Sequence, residues 1–290
     1  MTSFYLDRLN FYAAAPYRPG VATNLWKDLD ALLRLSATAR AVETGWGGLE
    51  AEDGATGLLP RSEAAGWALA AAERPARVVS GDLVDAFPLG DHGLAFAIGD
   101  VSGKGIPAGL LRAFVRPILR QVAPLSASPG ETLTHLNRIL CGARLDALYL
   151  TLFLGWLDLP SGTLTYANAG HPPPIRIDAA GARPTGRPTG PILGILDART
   201  FETGRLDLEA GDLLTLYTDG VSEAARRRSR PLGSDGLAAL LSRNGRAAPE
   251  EISRTVLATV DRIEGGRPGD DATVLTIRVG DAPAAALRAV

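Results

Sequence analysis

Apolar positions early in the chain follow the spacing of a helix. After Thr23 or Asn24, either of which could cap a helix, steps of four and three residues separate Leu25, Leu29, Leu32, Ser36 and Ala39. This spacing places the five side chains on one helical face and predicts a helix over residues 23–43. The stripe covers about two heptads, so it fits a dimerising or signal-transmitting helix and equally a helix packed on its own domain.

Beyond residue 70 the pattern changes to short apolar runs separated by turns rich in glycine, proline and aspartate. Runs of this kind predict β-strands. The predicted strands cover residues 78–89, 93–101, 149–157, 163–169, 174–178, 204–208, 213–218 and 272–279. The first two could pair across the turn at 90–93 as an antiparallel hairpin.

Two pairs of helices interrupt the strands. The first pair is predicted at 107–121 and 128–143, and the second at 234–242 and 249–263. Ser128 can cap its helix with Glu131 completing a capping box, whereas Pro117 is expected to kink the preceding helix or end it early. The order of strands, two helices, strands, two helices and a strand predicts an α+β fold, an antiparallel β-sandwich flanked by helices.

The chain is predicted to have three parts. Residues 1–70 comprise an irregular arm, the predicted helix and a glycine-rich, acidic linker at 45–54, and are expected to be regulatory or dimerising. Residues 71–280 form the main domain, and 281–290 form a flexible tail. A length of 290 residues with 46% hydrophobic content is sufficient for one large domain and such an extension.

Charge and cysteine content narrow the class of protein. A net charge of -2 and a pI near 6.0 argue against a nucleic-acid-binding protein, which normally carries a basic face. Cys141 is the single cysteine, so no intramolecular disulfide can form. The N-terminus lacks the features of a signal peptide, and the longest apolar run, 147–157, is too short to span a bilayer as a helix. We therefore expect a cytoplasmic protein without a membrane span.

Four segments place an aspartate beside a glycine where a β-type run meets a turn. These aspartates are Asp82, Asp100, Asp219 and Asp270. If the fold brings the four carboxylates together, they repel one another and each raises the pKa of its neighbours. Two hard divalent cations would remove that conflict, and paired cations about 3.5–4 Å apart can activate a water molecule for attack on a phosphate.

Taken together and in this order, the motifs resemble the PPM-type metal-dependent serine/threonine phosphatases. Within them they resemble the bacterial subfamily named after stage II sporulation protein E and the RsbU stress-response phosphatases. The resemblance covers about residues 70–280. It includes Pro-Ala-Arg at 75–77, Ser-Gly-Asp-Leu-Val-Asp at 80–85, the glycine-rich stretch 99–105, Asn-Ala-Gly-His-Pro-Pro at 168–173, the loop 190–194, and residues 217–223 and 269–273.

The resemblance implies a set of metal ligands and a reaction. Asp82, Asp100, Asp219 and Asp270, with the carbonyl of Val101, would bind two Mn²⁺ or Mg²⁺ ions, and Asp100 would bridge them. These four aspartates would act catalytically through a metal-activated, bridging water that attacks phosphoserine or phosphothreonine without a phosphoenzyme. Asp271 is the nearest alternative to Asp270, and the family pattern favours Asp270.

The resemblance also implies partners. The substrate would be a phosphorylated anti-sigma factor antagonist in a bacterial partner-switching pathway. An upstream activator protein would act through residues 1–70, where the helix at 23–43 could also form a homodimer. Catalysis by a haloacid-dehalogenase mechanism is disfavoured, because the early strand lacks two aspartates one residue apart. The alternative function is a catalytically silent, phosphatase-like module that recruits signalling partners.

Several residues depart from the family pattern or have no assigned role. Ser80, Leu83 and Val84 stand where the family has a glycine and two aromatic residues, so we expect the packing or the docking surface beside Asp82 to differ from that of the family. His171 is expected to be a turn histidine bonded to backbone, although it could instead shuttle protons near the metals. Lys104 could attract phosphate, or it belongs to a helix start that regulators move. Arg226, Arg227, Arg228 and Arg230 are either a loop that steers a phosphoprotein or a solvated loop.

Overall fold

The computed structural model describes residues 58–64, 67–77, 79–90, 93–143, 148–225 and 230–279, with only the backbone described over 58–64. The predicted helix at 23–43, the linker at 45–54 and the tail at 281–290 lie outside this part of the chain. The same holds for Arg226, Arg227 and Arg228. Among the described residues, no helix has both the length and the apolar character needed to cross a membrane.

Eleven strands and five α-helices are described. The strands are β1 (Leu58–Ala64), β2 (Trp67–Arg74), β3 (Asp82–Leu89), β4 (Gly93–Val101), β5 (Leu150–Asp158), β6 (Thr163–Ala169), β7 (Ile175–Asp178), β8 (Gly181–Pro184), β9 (Gly204–Asp207), β10 (Leu213–Tyr217) and β11 (Ala272–Val279). The helices are α1 (Ile106–Val122), α2 (Pro129–Ala143), α3 (Asp219–Ser222), α4 (Gly233–Asn244) and α5 (Pro249–Glu264), and a 3₁₀ turn (Ala123–Leu125) follows α1.

The strands form two antiparallel sheets. One sheet has the order β1-β2-β11-β10-β7-β8 and the other has the order β3-β4-β5-β6-β9. Side chains alternate along each strand, so one face of each sheet points into a shared core that includes Phe96 and Phe153 from one sheet and Leu216 and Leu275 from the other. The predicted hairpin of β3 and β4 is confirmed.

Helices cover the two outer faces. Helices α1 and α2 pack apolar side chains such as Leu119 and Leu136 on the five-stranded sheet. Helices α4 and α5 pack Leu241 and Val256 on the six-stranded sheet. The predicted fold, an antiparallel sandwich between two helical layers, is confirmed.

The sheet begins earlier than the boundary predicted near residue 70. Strand β1 pairs with β2, and β2 pairs along its length with β11. The sequence of β2, which includes four alanines, has a high helical propensity that the tertiary structure overrides. Small side chains allow α5 to approach closely, and the hydroxyl of Ser253 donates a hydrogen bond to the Ala70 carbonyl at 3.4 Å.

The alternative that Pro117 ends the first helix early is wrong, because α1 continues five residues further, to Val122, whereas a kink at Pro117 stays a prediction. Proline removes the hydrogen bond to the carbonyl of Ala113, which lies at an exposed position. Beyond the proline, Arg120 holds the helix to the sheet by two hydrogen bonds of 2.8 and 2.7 Å to the fully buried carboxylate of Asp85. The ion pair stabilises the last turn on β3.

Candidate metal centre

The first two predicted ligands lie opposite each other on neighbouring strands. Asp82 of β3 and Asp100 of β4 are register partners. Because Val84 and Ile98 of the same strands point into the core between the sheets, strand alternation places both aspartates on that inner side, at the end of the hairpin. Asp82 is 1% exposed, and Asp100 is partly exposed.

Two threonines of the opposite sheet bind the carboxylate of Asp82. Thr218 follows β10 and donates to Asp82 Oδ2 at 2.8 Å, and Thr273 of β11 donates to the same oxygen at 2.6 Å. Thr218 Oγ1 also accepts a hydrogen bond from the Thr273 amide. The deepest candidate ligand is therefore bonded across the sandwich. Sequence reasoning missed both threonines, although each lies next to or near an aspartate motif.

The third and fourth predicted ligands extend from these same segments. Asp219 follows Thr218 and begins the single turn of α3. A side chain at Gly220 would overlap the carbonyl oxygen of Asp271, so glycine allows the two segments to approach closely. Asp270 lies two residues before β11. The fold thus brings all four predicted segments to one end of the sandwich.

The space beside Gly81 is bordered by two of the predicted ligand groups. A Cβ atom placed on Gly81 would lie 3.1 Å from the Val101 carbonyl oxygen and 3.5 Å from Asp100 Oδ1. The glycine therefore leaves room where a backbone carbonyl and a carboxylate converge. Carboxylate and carbonyl oxygens are the donors that Mg²⁺ and Mn²⁺ prefer, so this donor set fits a hard divalent cation.

The carboxylates interact electrostatically. Burial raises the pKa of Asp100 to about 7, with further contributions from the charges of Asp219 and Asp270. Burial also raises the pKa of Asp82 well above its usual range, and the neighbouring charge of Asp100 adds to the increase. The pKa of Asp219 is raised by burial and then by Glu223 and Asp270. The site accumulates negative charge that cations would offset.

The candidate ligands are not arranged as a finished ion site. Over the described residues, no three acidic, histidine or cysteine side chains are grouped closely enough to hold an ion. Asp82 is bound by the two threonines, and Asp270 Oδ2 forms an ion pair with Lys104 Nζ at 2.8 Å. The segments converge, and side-chain movement at Asp270 would be needed to complete a metal site.

Asp270 and Asp271 have different environments. The two carboxylate oxygens of Asp271 accept hydrogen bonds from the backbone amides of Ala76 and Gly81, at 2.7 and 2.9 Å. Asp271 therefore fixes the loop that leads into β3. Asp270 contacts Lys104 and lies at the partly exposed edge of the cluster, which keeps it the better candidate for an ion ligand.

His171 has a structural environment between the sheets. Its ring Nδ1 lies 3.1 Å from Thr151 Oγ1, its amide donates to Asn168 Oδ1 at 2.8 Å, and its buried Nε2 has no hydrogen-bond partner among the described residues. Complete burial lowers the pKa of His171 to about 3, so the ring stays neutral. Thr151 is the register partner of Asp100, so the ring supports the strand that lies beside Asp100.

Comparisons with known proteins identify the family of the chain. Residues 90–280 match the family described as Stage II sporulation protein E (SpoIIE). The chain is 32% identical over 272 residues to Protein IcfG of Synechocystis sp., covering 82% of this chain and 43% of that protein. It is 27% identical over 215 residues to Phosphoserine phosphatase RsbU of Bacillus subtilis, covering 70% of this chain and 61% of RsbU. The chain thus spans about half the length of these curated relatives.

Solved structures share the fold. The RsbU and RsbW domains of Rv1364c from Mycobacterium tuberculosis align with a TM-score of 0.65 and 29% identity, over 75% of this chain and 61% of that chain. The PP2C phosphatase domain of SpoIIE from Bacillus subtilis, with a fragment of its regulatory domain, aligns with a TM-score of 0.65 and 17% identity, over 96% of both chains. At 17% identity, the similarity to the SpoIIE phosphatase domain is evidence of a shared fold.

Proposed function

Because the chain belongs to the SpoIIE family, we propose that it is a metal-dependent protein phosphatase that hydrolyses phosphoserine or phosphothreonine on a bacterial regulatory protein. The observation that carries this proposal is the convergence of Asp82, Asp100, Asp219 and Asp270 at one end of the sandwich, where burial and mutual repulsion raise the pKa of three of them. A fold that brings several carboxylates together, with one ammonium group beside them, is suited to bind divalent cations.

Asp82, Asp100, Asp219, Asp270 and the Val101 carbonyl would hold two ions, Mn²⁺ or Mg²⁺. When bound, the ions would activate a water molecule for attack on phosphorus and offset the charge of the phosphate. Asp100 is the register partner of Asp82 and precedes Val101, and by family resemblance it would contribute to the binding of both ions. Thr218 and Thr273 orient Asp82, because their hydroxyls occupy one of its two oxygens.

A protein substrate is supported by the surface beside the site. Ile106 and Leu110, on the first turns of α1, are 69% and 66% exposed. They follow the loop after Asp100, so an apolar surface lies on the helix that this loop begins. A phosphorylated protein could bury these side chains while its phosphate reaches the cluster. By family resemblance we propose an anti-sigma factor antagonist as this substrate, and an upstream activator acting through residues 1–70.

Release of phosphate tests this proposal. Metal-stripped protein is titrated with Mn²⁺ and with Mg²⁺ in the presence of an aryl phosphate and of a phosphoserine protein. We expect turnover that rises with ion concentration and is absent in a chelator. Ion binding by calorimetry without turnover on either substrate would instead favour the silent recruiting module. Asp100→Asn then separates the two functions, because it should abolish turnover and leave binding of a protein partner intact.

A further inference from the structure

Lys104 contacts the fourth aspartate from the opposite side of the site. Its Nζ lies 2.8 Å from Asp270 Oδ2 and 3.3 Å from the carbonyl oxygen of Gly269. Lys104 follows β4 and Asp270 precedes β11, so the contact joins the two sheets at the edge of the carboxylate cluster. Its charge also opposes the rise in the pKa of Asp219. One ammonium group therefore lies near two candidate ligands.

The backbone around Lys104 leaves this side chain free to change its direction. Gly103 and Gly105, on either side, have φ angles of 89° and 80°, and a Cβ on Gly105 would meet no atom within 4 Å. The helix that follows has no side-chain cap at Gly105. The Lys104 side chain is 40% exposed. The contacts with Asp270 and with the Gly269 carbonyl hold its ammonium group at the edge of the cluster.

The residue type suits an exchange of partners. Two of the thirty basic residues in the chain are lysines, Lys27 and Lys104, and the rest are arginines. An arginine would form a planar, two-pronged pair with a carboxylate, whereas lysine is a compact charge on a flexible stem. Lysine therefore binds one carboxylate oxygen and can move to another anion without losing a bidentate geometry.

Other basic groups near the site are held in ion pairs or are exposed on a loop. Arg74 pairs with Asp261 and Glu264 and also donates to the carbonyl oxygen of Asp270 at 3.4 Å, and Arg112 pairs with Glu73. Arg77 is exposed on the loop that Asp271 holds. A phosphate dianion that approaches the cluster meets several carboxylates, so a positive group that moves to the phosphate as it arrives would lower the repulsion.

We propose that Lys104 exchanges partners during the reaction cycle: it occupies Asp270 as an internal cation until a divalent ion displaces it, and it then binds the phosphate group of the substrate. This inference rests on the proposed function and assigns Lys104 as a phosphate-binding residue. It accounts for the absence, within the described part of the chain, of a finished ion site, because Asp270 is engaged by an ammonium group.

Charge removal at Lys104 should have opposite effects on the two ligands. In Lys104→Gln, Asp270 is released and we expect Mg²⁺ to bind more tightly, whereas inorganic phosphate should bind the Mg²⁺-loaded protein about tenfold more weakly. A merely structural defect would weaken both. Arg267→Gln is the matched control, because Arg267 is an exposed cation on the same loop as Asp270. It should change neither affinity by a comparable factor.

A direct readout does not depend on turnover. Protein carrying Lys27→Arg and isotopically labelled lysine has a single lysine signal by NMR, that of Lys104. We expect the signal to shift on addition of Mg²⁺, which is diamagnetic, and to shift again on addition of inorganic phosphate. If calorimetry shows that Mg²⁺ is bound but the Lys104 signal does not shift, the proposed exchange is overturned. A shift with Mg²⁺ but none with phosphate would overturn phosphate binding. Absence of Mg²⁺ binding altogether would count against the proposed function itself.

Discussion

The hydroxyl of Thr273, on β11 of the six-stranded sheet, donates a 2.6 Å hydrogen bond to the carboxylate of Asp82, on β3 of the five-stranded sheet. Both residues are buried, with 1% exposure each. The bond therefore joins the two sheets inside the protein, at the end where the candidate ligands meet. The position of Asp82, one candidate ligand, therefore depends on how the two sheets of the sandwich pack together.

Removing that hydroxyl should destabilise the protein. Thr273→Val keeps the side-chain shape and deprives a buried carboxylate of one of its two threonine donors, so we expect the free energy of unfolding to fall by about 1.5–3 kcal/mol. Urea denaturation measures the change. Thr215→Val is the control, because the Thr215 hydroxyl, also buried, has no hydrogen-bond partner among the described residues. Equal losses in the two variants would contradict a specific role for the Thr273 bond.

The stability of the metal-free protein should decrease as pH rises. The pKa of Asp100 is about 7 in the fold and lies near 3.8 in an unfolded chain. The folded state then holds a proton that the unfolded state has released, so this contribution is complete below about pH 4 and is lost as pH rises through about 7. Thermal unfolding in a chelator should show the decline in the native protein and a smaller one in Asp100→Asn. A steeper decline in the variant would contradict the assignment.

The adjacent aspartates should respond differently to substitution. Asp270→Asn is expected to weaken the binding of divalent ions. It should leave the amides of the loop before β3 protected from hydrogen exchange. Asp271→Ala leaves the amides of Ala76 and Gly81 without their carboxylate, so these amides should exchange hydrogen faster, and the cost in stability should be about 1–3 kcal/mol. Hydrogen exchange with calorimetry tests both. Fast exchange of the two amides in Asp270→Asn would indicate that the roles are reversed.

The exposed apolar surface on α1 should matter for large substrates. Leu110→Ser removes an exposed apolar side chain without touching a candidate ligand, so kcat/KM should fall for a phosphoprotein and stay the same for an aryl phosphate. A loss of about tenfold corresponds to one buried leucine contact of about 1.5 kcal/mol. Ala113→Ser, an exposed small residue on the same helix, is the control. Equal losses of kcat/KM for both substrates in Leu110→Ser would indicate that Leu110 supports the structure of the site and does not bind the protein substrate.

Local sequence patterns predicted the parts of the structure that depend on local periodicity. Strand β6 at Thr163–Ala169 and strand β11 at Ala272–Val279 occur where the apolar runs place them. The capping function of Ser128 is confirmed, because its hydroxyl accepts the Glu131 amide at 3.2 Å. Two adjacent aspartates, Asp270 and Asp271, contact different partners, Lys104 and the amides of Ala76 and Gly81.

What the sequence could not predict depends on contacts between distant segments. The alanines of β2 favour a helix locally and form a strand because β1 and β11 flank them. The hydrogen bonds from Thr218 and Thr273 to Asp82 form only because the two sheets pack against each other. Local sequence patterns do not specify that packing. The pair of Lys104 and Asp270 likewise joins loops from different halves of the domain, and neither loop indicates its partner.

The most direct test of the central claim is the number of divalent ions bound per chain, measured by calorimetry together with phosphate release, in the native protein, Asp100→Asn and Asp219→Asn. We predict two ions in the native protein and metal-dependent turnover. If Asp100 contributes to the binding of both ions, as we propose, Asp100→Asn should lose ion binding and turnover together, and Asp219→Asn should also lose turnover. Full metal-dependent turnover in Asp100→Asn would contradict the account.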